Sequence, residues 1–291
     1  MTAEGTILKG IGGFYYVRAG GEIYECKAKG IFRKMGIKPC VGDRVTISVN
    51  DNAENTIDEI KERTGVFLRP PVANVDRLFI IVSTVEPAPV FLIIDKLTAL
   101  AFDKDIEPLV VFTKCDKKPG DEYRDIYLRA GIRAFCVSSL TGEGTEAIKA
   151  ELEGHISAFT GNSGVGKSSL LNAIEPSLCL KTAEISDKLG RGRHTTRHSE
   201  LFPVCGGYVA DTPGFATVIS PDSESVDKEN LPFAFPEFRP YLGTCEFSTC
   251  RHVKDKGCKI IEAVESGIIP RTRHESYCML LEQAEKINDW D

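Results

Sequence analysis

Three short stretches of the chain carry residue types that suit phosphate, purine and metal chemistry. Gly161-Asn162-Ser163-Gly164-Val165-Gly166-Lys167-Ser168 matches the phosphate-binding loop pattern, and Ser169 continues it. Its glycines allow backbone N–H groups to turn inward around phosphate oxygens, and a helix starting at Lys167 adds a favourable dipole. Lys167 would then reach the β- and γ-phosphates, and the Ser168 hydroxyl would ligate Mg²⁺. Such a loop does not choose a base. Guanine presents two donors, N1–H and the exocyclic amine, which one carboxylate can accept together, whereas adenine offers an acceptor at N1. Thr113-Lys114-Cys115-Asp116 supplies that carboxylate after an apolar run, with a lysine stem to lie along the base. Taken alone the tetrapeptide reads as a solvated turn; the phosphate loop turns the reading toward guanine. Ser138-Ser139-Leu140 follows the next apolar run, where a backbone N–H to guanine O6 is expected.

Asp211-Thr212-Pro213-Gly214 offers an aspartate for a Mg²⁺-bound water and a glycine N–H for a γ-phosphate. Between this motif and the phosphate loop lies Leu189–Arg197, a glycine-containing basic stretch. Thr195 or Thr196 within it could complete the Mg²⁺ shell when a γ-phosphate is present. A third chemistry comes from Cys245-x4-Cys250-x-His252-x5-Cys258. A tetrahedral Zn²⁺ needs four thiolate or imidazole ligands, and this spacing can wrap one structural ion. Cys278 and His274 fall on a following helical pattern and read as core or surface residues. The six cysteines before residue 206 sit mostly among apolar neighbours and read as small buried hydrophobes.

The elements that must position these residues follow from pattern. Residues 1–65 alternate in strand fashion over Thr6–Ile11, Tyr15–Ala19, Glu22–Lys27, Val45–Val49 and Thr56–Ile60, broken by Gly12-Gly13 and Gly20-Gly21. Five short strands predict a small β-barrel of the OB type. Between the third and fourth strands lie Lys27, Lys29, Arg33, Lys34 and Lys38, with Phe32 among them. This reads as a solvated loop, or as the kind of basic, aromatic-bearing loop that holds a nucleic-acid backbone. From Arg77 strands alternate with helices: Arg77–Ser83, Phe91–Phe102, Pro108–Thr113, Glu122–Ala130, Ile132–Val137, Glu146–Glu153, Ile156–Thr160, Lys167–Ile174, Ser199–Val204 and Tyr208–Asp211. That alternation predicts an α/β domain on a largely parallel sheet. Helices are expected at Lys259–Ser266 and Arg271–Ile287 in a segment too short and acidic to build its own core, so a structural metal would help it fold. The predicted architecture is therefore multi-domain: an OB-like barrel over 1–66, a phosphate-loop domain over 67–220 and a helical zinc-binding module over 221–291.

The motif order is unusual. The base-reading stretches at 113–116 and 138–140 precede the phosphate loop at 161–168, the basic stretch and the Asp-x-x-Gly at 211–214. An ordinary GTPase begins with the phosphate loop and ends with the base reader, so this order predicts a circularly permuted G domain. The net charge of −6 over 291 residues, with 9 basic and 14 acidic residues after residue 220, excludes a global field that attracts nucleic acid. No apolar run reaches the length of a membrane helix, and no secretory leader is evident, so a cytoplasmic monomer without membrane contact is expected.

Together these features resemble the ribosome small subunit-dependent GTPase A family (RsgA, also called YjeQ or YloQ). The resemblance runs through Gly42-Asp43, Ala73-Asn74-Val75-Asp76, GNSGVGKSSL, GRHTTRH, DTPGF and the cysteine–histidine set. It implies a GTPase that binds the 30S subunit and 16S rRNA, is stimulated by that subunit, and acts late in its maturation. The family usually has Asn where this chain has Thr113, which implies a weaker tether of the base-reading loop. Phe215 stands where many GTPases place a water-orienting Gln, and the resemblance makes His194 the substitute, positioned by the ribosome. Two other readings compete. One is a zinc-stabilised rRNA-binding module with a regulatory, barely hydrolytic guanine site, and the other is an ATP-dependent kinase-like transferase.

Overall fold

The computed structural model describes residues 1–50, 53–68, 71–178, 200–211 and 225–288. Strands β1 (Thr2–Ile11), β2 (Phe14–Ala19) and β3 (Glu22–Ala28) form an antiparallel meander. Its turns are Gly12-Gly13 and Gly20-Gly21, all four at positive φ between 59° and 90°, the two-residue geometry that matches strand twist. A short helix α1 (Gly30–Lys34) leads into β4 (Arg44–Ser48) and β5 (Asn55–Ile60). Because β3 runs parallel to β5, β5 antiparallel to β4, and β4 antiparallel to β1, the five strands close on themselves. The expected OB-like barrel is present, and Ile7, Val17, Cys26, Val45, Ile47 and Ile57 fill it. Phe32, the aromatic among the basic residues, is buried by α1 against the barrel core. A loop reading missed α1 because five residues carry little helical periodicity.

A small hairpin, β6 (Phe67–Leu68) and β7 (Pro71–Val72), follows the barrel. In chain order there then come β8 (Arg77–Ser83), α2 (Phe91–Asp103), β9 (Glu107–Thr113), α3 (Asp121–Arg129), β10 (Arg133–Cys136), α4 (Thr145–Leu152), β11 (Ile156–Thr160), α5 (Lys167–Ile174), β12 (Glu200–Val204), β13 (Gly207–Asp211), α6 (Lys259–Glu265) and α7 (Arg271–Asn288). Two compact units divide these elements.

The first unit groups the barrel with residues 149–159 and with β12 and β13. There β11 runs parallel to β13, β13 antiparallel to β12, and β12 meets β1 through Lys9 opposite Glu200. The motif residues shared with the resembled family act as fasteners. Asp43 is fully buried, and its carboxylate accepts from Arg63 Nε at 2.7 Å, Arg63 Nη2 at 2.8 Å and the Cys40 N–H at 2.7 Å. Gly42 stands at φ +89°, and a Cβ there would lie 2.0 Å from the Ala73 carbonyl oxygen. Asn74 donates to the Gly42 carbonyl at 2.9 Å and accepts from Thr64 N–H at 3.0 Å. Asp76 exchanges two bonds with Ile156, each 2.8 Å, fixing the start of β11.

The second unit contains β8, β9, β10 and the C-terminal residues. β9 and β10 are parallel, with Phe112 opposite Cys136. Leu78–Val82 and Leu109–Phe112 are buried without alternation, as strands covered on both faces must be. The C-terminal segment shares its core with α2 instead of forming one: Ala99 and Leu100 pack with Leu231, Phe235, Phe238, Ile260, Tyr277 and Leu280. At the centre lies Arg273, fully buried, donating to Asp95 at 2.8 Å and to Glu237 at 2.7 Å, 4.5 Å from the Phe235 ring. Tyr127 donates to the same Asp95 oxygen at 3.0 Å. Removing one partner of such a cluster strands the others without water. Arg273→Ala is expected to lose about 3–5 kcal/mol in urea unfolding, and a loss below 1 kcal/mol would contradict this role.

Candidate functional site

The nucleotide-site residues are built from strand ends. β11 stops at Thr160, the chain turns through Gly161–Gly166, and α5 starts at Lys167, so the first N–H groups of the helix open onto the loop. Gly161 adopts φ +143°, where a Cβ would lie 2.2 Å from the Ile81 carbonyl oxygen; only glycine fits. Gly166 caps α5 in the left-handed region at φ +99°. Lys167 curls back over the loop and donates to the carbonyls of Gly161 and of Asn162, the latter at 2.8 Å. Burial holds its ammonium below the ordinary lysine value. Ser168 and Ser169 lie on the first turn of α5, while Asn162, Ser163 and Gly164 are exposed and Val165 is buried beneath them.

The base-reading stretch meets this loop directly. Thr113 ends β9 and is buried, and its hydroxyl donates to the Val165 carbonyl at 2.5 Å, with the Val82 carbonyl 3.2 Å away. Lys114, held at φ +60°, donates from Nζ to the Gly164 carbonyl at 2.8 Å and to the Glu86 carbonyl at 2.7 Å. These contacts span 52 and 50 residues of sequence. Asp116 is exposed, and the Ser138 hydroxyl donates to its Oδ1 at 2.7 Å, which sets the plane of the carboxylate. Ser138 in turn accepts from Thr141 N–H at 3.2 Å and donates its own N–H to the Glu143 carbonyl at 3.0 Å. Cys115 is threaded between the two loops, its N–H donating to the Val137 carbonyl at 3.2 Å. Ser139 is half-buried and Leu140 exposed beside this turn.

Thr84 and Glu86 belong to the same cluster, and sequence reasoning missed them. Thr84 lies 3.2 Å through its hydroxyl from the carbonyls of Thr113 and Lys114, and its N–H donates to Thr113 at 3.1 Å. Glu86 contributes only a carbonyl oxygen, a group every residue has, so no side-chain pattern could have shown it. The remaining predicted residues are less accessible to description. Asp211 closes β13, whose Ala210 lies opposite Ala158 of β11, but the Asp211 side chain, Gly214, His194, Thr195 and Thr196 lie outside the described residues.

The Cys/His set converges on one point. The ligand atoms of Cys245, Cys250, His252 and Cys258 all lie within 4.8 Å of one another. His252 Nδ1 lies 3.6, 3.4 and 3.5 Å from the sulfurs of Cys245, Cys250 and Cys258, and the Cys245 and Cys258 sulfurs are 3.9 Å apart. His252 itself takes φ +62°, and its carbonyl meets Nε2 of His274 at 2.7 Å. Burial lowers the His252 imidazole from its ordinary value and so favours the neutral, ligating form. Burial likewise pushes the Cys250 thiol up to about 12, so a bound cation must displace its proton. The described residues can therefore hold one metal ion.

On the barrel, a groove of about 700 Å³ is lined by Tyr15, Lys27, Lys29, Arg33 and Lys38 together with part of Phe32. Lys27 is paired with Glu54 at 2.5 Å and Lys29 with Asp58 at 3.0 Å. Arg33, Lys34 and Lys38 have no ion pair among the described residues.

The Thr113 contact is open to test. Thr113→Val keeps the shape but leaves the Val165 carbonyl without its donor, a cost of about 1–3 kcal/mol. Affinity for a fluorescent guanine nucleotide is expected to fall about tenfold or more, while Thr113→Ser stays near wild type. Equal affinity in both variants would remove the tether from the site.

Comparison with known proteins agrees with this geometry. A family model described as RsgA GTPase matches residues 60–219, and one described as RsgA N-terminal domain matches residues 4–57. A protein of Geobacillus sp. (strain WCH70), named small ribosomal subunit biogenesis GTPase RsgA, is 43% identical over 287 residues, covering 97% of each chain. One of the same name from Ruminiclostridium cellulolyticum is 43% identical over 283 residues, covering 95% of this chain and 92% of its own. Among solved structures, YloQ, described as a circularly permuted GTPase, aligns at TM-score 0.81 with 34% identity, covering 98% of this chain and 96% of that one. YjeQ from Thermotoga maritima aligns at 0.82 with 33% identity, covering 98% and 99%. With base-reading and phosphate-binding loops joined in reversed chain order, and with these matches along nearly its whole length, the chain belongs to the RsgA family of circularly permuted GTPases.

Proposed function

We propose that this GTPase works in small ribosomal subunit biogenesis, hydrolysing GTP to GDP and phosphate while engaged with the 30S subunit and its 16S rRNA. The observation that carries the reading is the joint between Thr113 or Lys114 and the carbonyls of Val165 and Gly164. It joins the stretch that carries Asp116 to the phosphate loop, which supports reading Asp116 as the guanine-selective carboxylate. Asp116, oriented by Ser138, accepts from guanine N1–H and the exocyclic amine, and the turn after Ser138, whose own N–H is held by Glu143, offers the Ser139 N–H to O6. Residues Gly161–Gly166 present N–H groups to the phosphates, and Lys167 leaves its carbonyl partners to neutralise the β- and γ-oxygens. Mg²⁺, arriving with GTP, supplies charge neutralisation at these oxygens. Ser168 would ligate it, Asp211 and a threonine of the Thr195-Thr196 pair would complete its shell or hold its waters, Gly214 would meet the γ-phosphate, and Ser169 would support the helix start.

No glutamine follows Asp211–Gly214, and Phe215 cannot orient water, so His194 takes that role when the ribosomal subunit places it. Slow turnover alone and faster turnover on the particle follow, because water placement supplies much of the rate. Functional organisation follows the division 1–66, 67–220 and 221–291. The barrel meets RNA through Arg33, Lys34 and Lys38, with Lys27 and Lys29 joining if phosphates displace Glu54 and Asp58. The protein acts as a cytoplasmic monomer; among the described residues no helix is long and apolar enough to cross a membrane.

The metal is zinc in this reading. Bonds of about 2.3 Å to sulfur and about 2.0 Å to nitrogen in a tetrahedron demand S···N edges of about 3.5 Å and S···S edges of about 3.8 Å. The observed 3.4–3.6 Å and 3.9 Å fit that figure. With four protein ligands the ion is structural and leaves no open position for a reaction.

Two measurements test the assignment. GTP turnover with purified 30S particles is expected to exceed the intrinsic rate by about tenfold or more, and Lys167→Ala is expected to abolish both. Turnover indifferent to the particles would favour the regulatory RNA-binding reading. Metal analysis of the purified chain is expected to find one zinc per molecule, lost in Cys250→Ser together with about 2–5 kcal/mol of stability; full zinc in that variant would move the site elsewhere.

A further inference from the structure

Two cysteines outside the metal set lie against the base-reading turn. Cys115 is flanked by Lys114 and Asp116, and Cys136 ends β10 two residues before Ser138. Both sulfurs converge on Gly120, where a Cβ would lie 3.2 Å from Cys115 Sγ and 3.0 Å from Cys136 Sγ. Cys115 Sγ donates to the carbonyl of Phe112, the residue paired with Cys136. The two cysteine backbones are held by neighbouring parallel chains: Phe112 is opposite Cys136, and Cys115 N–H donates to Val137. Both thiols thus face the same small space beside Gly120, where a side-chain rotation brings sulfur toward sulfur. Both residues are only half-buried, so a small solute can reach them. The neighbouring Cys136 S–H holds the Cys115 thiol below its ordinary value, and Cys115 together with burial drives that of Cys136 upward. Cys115 is therefore the nucleophile and Cys136 the resolving thiol.

Resting on the guanine-site reading above, we propose that Cys115 and Cys136 form a reversible thiol switch that a hydroperoxide closes into a disulfide, weakening guanine-nucleotide binding. The Cys115 thiolate attacks the peroxide, the O–O bond breaks, and a sulfenic acid forms while the departing hydroxide takes a proton to become water. Cys136 sulfur then attacks Cys115 sulfur, the S–O bond breaks, and the hydroxyl leaves with the Cys136 proton as a second water. Two electrons pass from the sulfur pair to the peroxide.

The consequence follows from what flanks the pair. An S–S bond of about 2.05 Å draws two non-bonded sulfurs together. Cys115 sits between Lys114, already at φ +60°, and Asp116, whose orientation depends on Ser138, so re-aiming its side chain toward Cys136 strains the turn that carries both. The carboxylate that accepts from the base shifts, and so does the lysine that holds the Gly164 carbonyl.

The test uses the full chain with its metal loaded, titrated with fluorescent GDP before and after hydrogen peroxide, with zinc content followed in the same samples. The oxidised wild type is expected to bind about tenfold more weakly, to yield a Cys115–Cys136 crosslinked peptide, and to recover with dithiothreitol. Cys136→Ser, with Cys136→Ala as a second version, is expected to bind like the reduced wild type before and after treatment. An oxidised chain without that crosslink, a crosslinked chain of unchanged affinity, or an equal loss in Cys136→Ser would each overturn the switch. A reduced wild type that fails to bind GDP would instead overturn the site reading beneath it.

Discussion

The nucleotide-site reading depends on a hydroxyl and an ammonium donating to two consecutive carbonyls. Thr113 reaches Val165 and Lys114 reaches Gly164. Each bond alone is worth a modest net amount, but the Val165 carbonyl has a buried partner and the ammonium brings charge. Their geometric effect exceeds their energy. A phosphate loop must present its N–H groups inward, which turns its carbonyls outward, and outward carbonyls need donors. The base-reading stretch supplies them. Site formation and loop satisfaction are therefore one requirement, independent of which motif comes first in the chain.

That independence is what makes permutation tolerable. In an α/β sheet the site lies beyond the strand ends, and any connection that preserves strand neighbours preserves the site. Here Thr113–Asp116 runs on from the end of β9, Ser138-Ser139 follows β10, and Gly161–Gly166 follows β11, in that chain order. Permutation also carries the chain beyond β13 toward the C-terminal residues, which find their core on α2. A segment that cannot enclose its own interior borrows one, and the metal set then needs to order only a loop.

Much of this was legible in residue patterns, and the exceptions have physical causes. The barrel strands stood out because alternation of period two is interrupted by Gly-Gly pairs that only a tight turn explains. The metal ligands stood out because four soft donors within fourteen positions have few other uses. The side on which Phe32 packs is not readable, because an aromatic among lysines looks the same whether its ring faces water or the barrel interior. Thr84 and Glu86 were invisible because what they contribute is a hydroxyl and a carbonyl. How Thr113 tethers the loop is not readable from residue type, because it depends on whether a donor reaches Val165, and a hydroxyl held by β9 does. The pairing of Arg273 with Asp95, 178 residues apart, is a purely tertiary event.

That last pair explains how the metal loop is placed. The apolar residues of α7 and α2 could pack in more than one register, since Leu280, Leu281 and Tyr277 offer similar surfaces a turn apart. A guanidinium cannot. Its fork satisfies Asp95 and Glu237 together in one position only, and any slide leaves a buried charge unpaired. Arg273 thus fixes α7 along its axis. His274, the next residue, meets the His252 carbonyl, and Tyr277, one turn on, donates to the Arg251 carbonyl at 3.0 Å. The backbone on both sides of the metal-ligating imidazole is consequently held by the helix that the buried arginine has set in register. An ion held by the four ligands would close the loop upon itself, and the arginine decides where that loop stands on the second unit.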